Sequence, residues 1–293
     1  MNIPVVVTIA GADCSAGAGI QADLKAFTAC GTFGLTVITC VVAETPLEVV
    51  EILPLSPEFV VRQLLLLLKT YPVVAIKTGM LPTAEHVIAV AEVLKTVCGK
   101  GKLPLVVDPV MVASAGGRLM NESALEVFEQ YLLPLAAVIT PNFPEAATLL
   151  RRPEAVLKSQ PSSTASELFA RYQVPILLKG GHSGGDEAVD LLALSSDSVL
   201  PFKTKRIAGG SPHGTGCTLS AALAAWLGHG LALPEAVSRA KDYITGAIAN
   251  THSWNGGKGP VRALGQPLVP SIQFDLRASH QNAPQTPNAL PTL

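Results

Sequence analysis

The sequence predicts an α/β fold in which a central, mostly parallel sheet carries helices on both faces. Apolar runs of strand length alternate with longer segments of helical period, which is the pattern of βαβ units. The strand runs are continuously apolar, as in strands buried on both faces. Five of them end in polar or glycine-rich residues, the rim at which open parallel sheets place ligands. With 293 residues, 48% of them hydrophobic, the chain can enclose one large core.

The first run, Val5 to Ala10, has no basic residue before it and reads as a buried strand, not a signal peptide. A helical segment, Ile20 to Cys30, follows. The pairs Leu35 to Val42 with Pro57 to Lys69, Val73 to Lys77 with Ala84 to Val97, and Leu105 to Asp108 with Glu122 to Leu133 repeat the pattern. Ala137 to Thr140 precedes a helix over Pro144 to Leu150, then come a strand at Ile176 to Lys179 and a long helix from Thr215 to Leu227. At least six parallel strands are expected. One domain is expected over residues 1–277, and residues 278–293, rich in Gln, Asn and Pro, read as a flexible tail.

The 21 basic and 22 acidic residues are spread along the chain for a net charge of −1, so neither nucleic acid nor an anionic membrane is an expected partner. No apolar stretch is long enough to span a bilayer, the leucines at 64–68 being closed by Lys69. The five cysteines, Cys14, Cys30, Cys40, Cys98 and Cys217, are widely spaced and form no Cys-x-x-Cys pair. That argues against a disulfide framework or zinc site and fits a reducing cytoplasm.

Gly209-Gly210-Ser211-Pro212-His213-Gly214-Thr215-Gly216-Cys217 runs directly into the helix-forming stretch from Thr218 to Leu227. Glycines 214 and 216 let the backbone turn its N–H groups toward one point, where the helix dipole adds positive potential for an anion. An ordinary glycine-rich turn is the alternative reading. Cys217 lies where the same field lowers a thiol pKa, so it is a candidate base, or else a structural cysteine. The Walker and dinucleotide-binding spacings are absent.

Seven segments in unbroken order resemble the hydroxymethylpyrimidine and phosphomethylpyrimidine kinases of thiamine biosynthesis, members of the ribokinase superfamily. They are Thr8-Ile9-Ala10-Gly11, the run from Gly17 to Lys25, Lys77-Thr78-Gly79-Met80-Leu81, Val107-Asp108-Pro109-Val110-Met111, Thr140 to Ala146, Lys179-Gly180-Gly181-His182 and the His213 loop. The resemblance implies a three-layer ribokinase-like fold, ATP and Mg²⁺ as cofactors, and a homodimer. Gly214, Thr215, Gly216 and Cys217 would form the anion hole, with Cys217 also the base on a primary alcohol. Lys179, Asn142, His182 and Thr215 would serve the nucleotide, Asp108 and Glu145 the metal. Taken singly, these are also ordinary turn formers, first-turn acids or strand ends.

On the acceptor side the resemblance places Gly11, Ala18, Asp23, Glu44, Met80 and Val110 around the pyrimidine. The family's usual Val-Ala-Gln-Asn-Thr is replaced by Val42-Ala43-Glu44-Thr45-Pro46. A glutamine amide donates and accepts, whereas an ionised carboxylate only accepts. Glu44, unless it points elsewhere, therefore needs its own proton, a protonated ring nitrogen or a ligand with two donors. The expected activity is phosphorylation of 4-amino-5-hydroxymethyl-2-methylpyrimidine, and of its monophosphate. A pyridoxal or pyridoxine kinase, a monofunctional kinase of a related pyrimidine, and a non-catalytic pyrimidine-binding sensor are the alternatives.

Overall fold

The computed structural model describes residues 3–98, 102–111, 122–180, 186–208, 212–256 and 259–266. From the N-terminus the elements are β1 (Val5–Asp13), α1 (Gly19–Ala29), β2 (Phe33–Thr45), β3 (Glu48–Pro54), α2 (Pro57–Thr70), β4 (Val73–Thr78), α3 (Ala84–Val97), β5 (Leu105–Val107), α4 (Glu122–Val127) and β6 (Val138–Ile139). Then follow α5 (Phe143–Leu150), α6 (Glu154–Ser159), α7 (Pro161–Tyr172), β7 (Ile176–Leu178), β8 (Glu187–Ala193), β9 (Val199–Lys205), α8 (Thr215–Gly228), α9 (Leu233–Ala249), β10 (His252–Gly256) and β11 (Gly259–Ala263).

Nine strands form one sheet in the order β3-β2-β1-β4-β5-β6-β7-β8-β9. The six from β2 to β7 are parallel, as the strand–helix alternation predicts. Strands β3, β8 and β9 add antiparallel edges. Strands β3 and β9 escape the alternation because each joins the strand before it through a hairpin with no helix between. Strands β10 and β11 pair separately.

Side chains on alternate residues of β1 enter different cores, as the pleat requires. Val5, Val7 and Ile9 pack with Val60, Leu64, Val87, Leu94, Leu149 and Leu168 from α2, α3, α5 and α7. Val6 joins Phe27 of α1, Leu223 of α8 and Val237 of α9 on the opposite face. The result is the three-layer arrangement with helices on both faces. Helix α8 is buried on every side from Thr218 to Ala225, and its small residues let it lie close on the sheet.

One expected helix is cut short, and backbone bonds beyond the strand ends hold the rim. Helix α4 passes into a π-helical turn, Phe128–Leu132, and a 3₁₀ turn, Leu133–Leu135, where Pro134 ends the expected helix. At the carboxyl rim, backbone bonds continue past the strands: Gly79 N to Ile9 O at 2.9 Å, Asp108 N to Thr78 O at 3.0 Å, Thr140 N to Val107 O at 3.0 Å and Lys179 N to Pro141 O at 2.8 Å. The rim residues are thus held as rigidly as the sheet. The expected tail, residues 278–293, lies outside the described residues.

Candidate active site

Gly214 caps α8 at φ +85°, in the left-handed region that only glycine adopts cheaply. The first intrahelical bond runs from Thr218 N to Gly214 O at 2.9 Å. The N–H groups of Thr215, Gly216 and Cys217 precede it and belong to the helix's electropositive end. Gly216 lies against two charged groups: a Cβ there would come within 3.2 Å of Lys179 Nζ and 3.8 Å of Asp108 Oδ2. The start of α8 and the rim residues therefore share one place.

Lys179 Nζ is 2.7 Å from Asp108 Oδ1 and 3.7 Å from Glu145 Oε2. Asp108 also accepts from Thr140 Oγ1 at 3.0 Å and, through Oδ2, from Ser220 Oγ of α8 at 3.1 Å. Asn142 and Glu145 form a capping box on α5, Asn142 N donating to Glu145 Oε2 at 2.8 Å and Glu145 N to Asn142 Oδ1 at 2.9 Å. Burial opposes the Lys179 charge, but Asp108 and Glu145 outweigh it and hold the ammonium above its usual range. Asp108 stays below the usual carboxylate range, the Lys179 and Lys77 charges overcoming its burial. Burial raises Glu145 to about 7 against the pull of Lys179, with Asp108 adding to the rise.

An open cleft of about 590 Å³ adjoins this cluster. Of the expected acceptor residues, Gly11, Ala18, Glu44, Met80 and Val110 line it, together with Cys217. Val42, Val49 and Ile52 give it an apolar wall, and Lys77 and His213 add polar groups. Asp23 does not line it. Its Oδ2 takes Lys77 Nζ at 2.8 Å and Thr8 Oγ1 at 2.5 Å, both Asp23 and Lys77 being fully buried. Of that pair, Lys77 lines the cleft and Asp23, expected beside the pyrimidine, lies behind it. His182 lies outside the described residues.

Cys217 departs from expectation in one respect. Burial pushes its thiol up to about 11, Lys77 working against the rise and Asp23 and Asp108 with it. Where the helix start led to the expectation of a lowered thiol pKa, desolvation and, after it, two buried carboxylates act in the opposite direction. Cys30, Cys40 and Cys98 are buried and Cys14 is exposed, with its Sγ 3.2 Å from the Glu44 carbonyl oxygen.

The sequence puts Asp13 at a strand end on the rim and His213 in the glycine-rich loop, without giving either a role. Asp13 Oδ1 takes Ser15 N at 2.7 Å, and Oδ2 takes Gly17 N at 3.1 Å, Ala18 N at 2.7 Å and His213 Nε2 at 3.2 Å. Although burial raises it, hydrogen bonds from His213, Ser15 and Ala18 bring the carboxyl down to about 2. An Asp two residues before Ser-x-Gly is the sequence signal for such a self-folded loop. Lys77 carried its own signal, a lysine inside an apolar strand that must find a buried acid.

A helix start beside a lysine and two rim carboxylates, opening on a cleft lined by a thiol, is an arrangement suited to phosphoryl transfer. The family model described as phosphomethylpyrimidine kinase matches residues 13–262. A hydroxymethylpyrimidine/phosphomethylpyrimidine kinase of Rhizobium meliloti (strain 1021) is 40% identical over 259 residues, covering 88% of this chain and 96% of that protein. Among solved structures, an ADP complex of Bacillus subtilis pyridoxal kinase superposes with a TM-score of 0.77 at 31% identity, over 90% of this chain and 97% of the other. A phosphomethylpyrimidine kinase from Clostridium difficile 630 gives 0.70 at 35% identity, over 84% and 100%. The chain belongs to the phosphomethylpyrimidine kinase family, with a ribokinase-like α/β fold.

Proposed function

We propose that the chain transfers the terminal phosphoryl group of ATP to the hydroxymethyl group of 4-amino-5-hydroxymethyl-2-methylpyrimidine, and with lower efficiency to the resulting monophosphate. The observation that carries this is the position of Cys217, which belongs both to the first turn of α8 and to the wall of the acceptor cleft. A primary alcohol held there lies beside the loop that receives the phosphoryl group. ATP use is supported by a structural relative solved with ADP.

Asp108 and Glu145 offer an all-oxygen donor set, and the two buried carboxylates share the single Lys179 ammonium, which leaves the cluster short of one positive charge. Mg²⁺, held largely through its own water, fits that deficit, and would neutralise phosphate charge when bound. Lys179 holds the phosphates, and Asn142 keeps Glu145 oriented through the capping box. The helix start of Gly214 to Gly216 receives the transferred group.

A second reading, pyridoxal kinase, is favoured by the 0.77 superposition on a protein of that name. A coupled ADP-release assay over the hydroxymethylpyrimidine, its monophosphate, analogues with altered ring substituents and pyridoxal separates them. Turnover with the aminopyrimidine alcohol is expected, and a response to pyridoxal alone would replace this reading with the second. Binding of the pyrimidine without turnover would point to a sensor.

The exposed Val41, Val50 and Leu53 on the β2–β3 edge support homodimer formation through that surface. No helix among the described residues is long and apolar enough to cross a membrane. The five free cysteines favour a reducing compartment such as the cytoplasm.

A further inference from the structure

Lys179 reaches the phosphoryl site from the end of β7, and its neighbour Gly180 is gripped from outside the cleft. Asp190 of β8 is 4% exposed, and its Oδ1 accepts from Gly180 N at 2.8 Å. Its Oδ2 lies 2.6 Å from Nζ of Lys241 in α9, itself 6% exposed. In the β7–β8 ladder Leu178 stands opposite Leu191, so the next position along, facing Lys179, belongs to Asp190. The ladder stops there. Lys179 N turns toward Pro141 O on the β6 side, and the Asp190 side chain takes the following N–H.

A buried ion pair is a costly way to gain stability, since desolvation of both charges offsets most of their attraction. It is an accurate way to fix a position, because each carboxylate oxygen here has one directed partner. We infer that Asp190 is a positioning residue for Lys179, and that Lys241 holds Asp190 in place. Through Gly180 the pair sets where the Lys179 ammonium meets Asp108, 2.7 Å away, and the start of α8. The inference rests on the reading that Lys179 serves the nucleotide phosphates.

The test compares two double variants that both remove the charges, so that neither leaves an unpaired buried ion. Asp190→Asn/Lys241→Met keeps an oxygen acceptor for Gly180 N, while Asp190→Ala/Lys241→Met does not. Thermal unfolding, ATP affinity by calorimetry, and kcat and KM for ATP and for the acceptor are measured on each.

The Asn variant is expected to keep ATP affinity and kcat/KM within about threefold of wild type, a conservative rescue of the hydrogen bond. The Ala variant is expected to lose about ten- to a hundredfold in kcat/KM for ATP, with KM for the acceptor unchanged. Wild-type ATP kinetics in the Ala variant would overturn the inference. So would equal failure of both variants, or parallel loss toward ATP and acceptor. If the wild type phosphorylates no acceptor, the functional reading fails by itself, and the contrast in ATP affinity still decides this one.

Discussion

His213 Nε2 lies 3.9 Å from Glu44 Oε2 and 3.2 Å from Asp13 Oδ2, so one imidazole faces two carboxylates. Asp13 is saturated by backbone donors, whereas the Glu44 carboxylate accepts no hydrogen bond among the described residues. Burial raises the Glu44 carboxyl above its usual range, the Asp13 charge adds to that, and His213 opposes it. Glu44 thus enters an otherwise mostly apolar cleft as an acceptor waiting for donors.

An acceptor ring with a protonated nitrogen beside an amine would satisfy an ionised Glu44 with two charge-assisted bonds. Binding a neutral ring in that form takes up one proton, so affinity should fall as pH rises. Glu44→Gln should abolish that slope and shift the ratio of monophosphate to alcohol efficiency upward by about tenfold, because the amide no longer favours a single ring placement. Calorimetry in buffers of different ionisation enthalpy reads the proton uptake. No uptake in the wild type, with equal efficiency for both acceptors in both proteins, would remove Glu44 from specificity.

Cys217 has a thiol raised to about 11. As a base it must first lose its proton, and the thiolate fraction grows with pH throughout the range below that value. The efficiency of alcohol phosphorylation should therefore climb with pH, whereas the monophosphate, already an anion, needs no base. Cys217→Ala should cost the alcohol reaction about a hundredfold or more and the monophosphate reaction much less. Unchanged alcohol turnover in the variant would exclude Cys217 as its base.

The six parallel strands and the rim residues were legible in the sequence because buried parallel strands are continuously apolar and their polar ends stand out. Asp108, Asn142, Glu145 and Lys179 could be read singly, strand by strand. What the chain order could not show is a partner brought from another layer: Ser220 on Asp108, His213 on Asp13, Lys241 on Asp190. The same blindness explains Asp23, whose place in a motif near the acceptor concealed that Lys77 claims it. It also explains the Cys217 thiol, for which the helix start was visible and its burial, beside two carboxylates, was not.

Glu145 gives a dependence on pH and on metal. Its carboxyl is raised in the folded protein to about 7 from an ordinary value of 4.5, so the folded state binds the extra proton between those two values. Stability attributable to this group is greatest below about 4.5 and falls as pH rises through about 7. Without divalent metal, the melting temperature of the wild type should decline across that window more than that of Glu145→Gln. Mg²⁺, which favours the ionised carboxylate, should raise the wild-type melting temperature most on the alkaline side. A Mg²⁺ effect independent of pH, or equal in the variant, would remove Glu145 from the metal site.

Gly214 ties the phosphoryl loop to the acceptor loop. At φ +85° an added Cβ would stand 1.8 Å from Gly17 O and 3.1 Å from the Cα of Ala18, both backbone atoms that cannot rotate away. Ala18 lines the acceptor cleft, and Gly17 N and Ala18 N both bond to Asp13. Gly214→Ala must therefore drive the start of α8 away from the acceptor, separating the phosphoryl group from the alcohol it is to reach. The expected result is a fall in kcat of about a hundredfold for both acceptors, with ATP affinity reduced less, since a displacement near 1 Å is enough to spoil an in-line approach. Steady-state kinetics alongside calorimetric ATP binding check this, and wild-type kcat in the variant would show that the two loops need not touch.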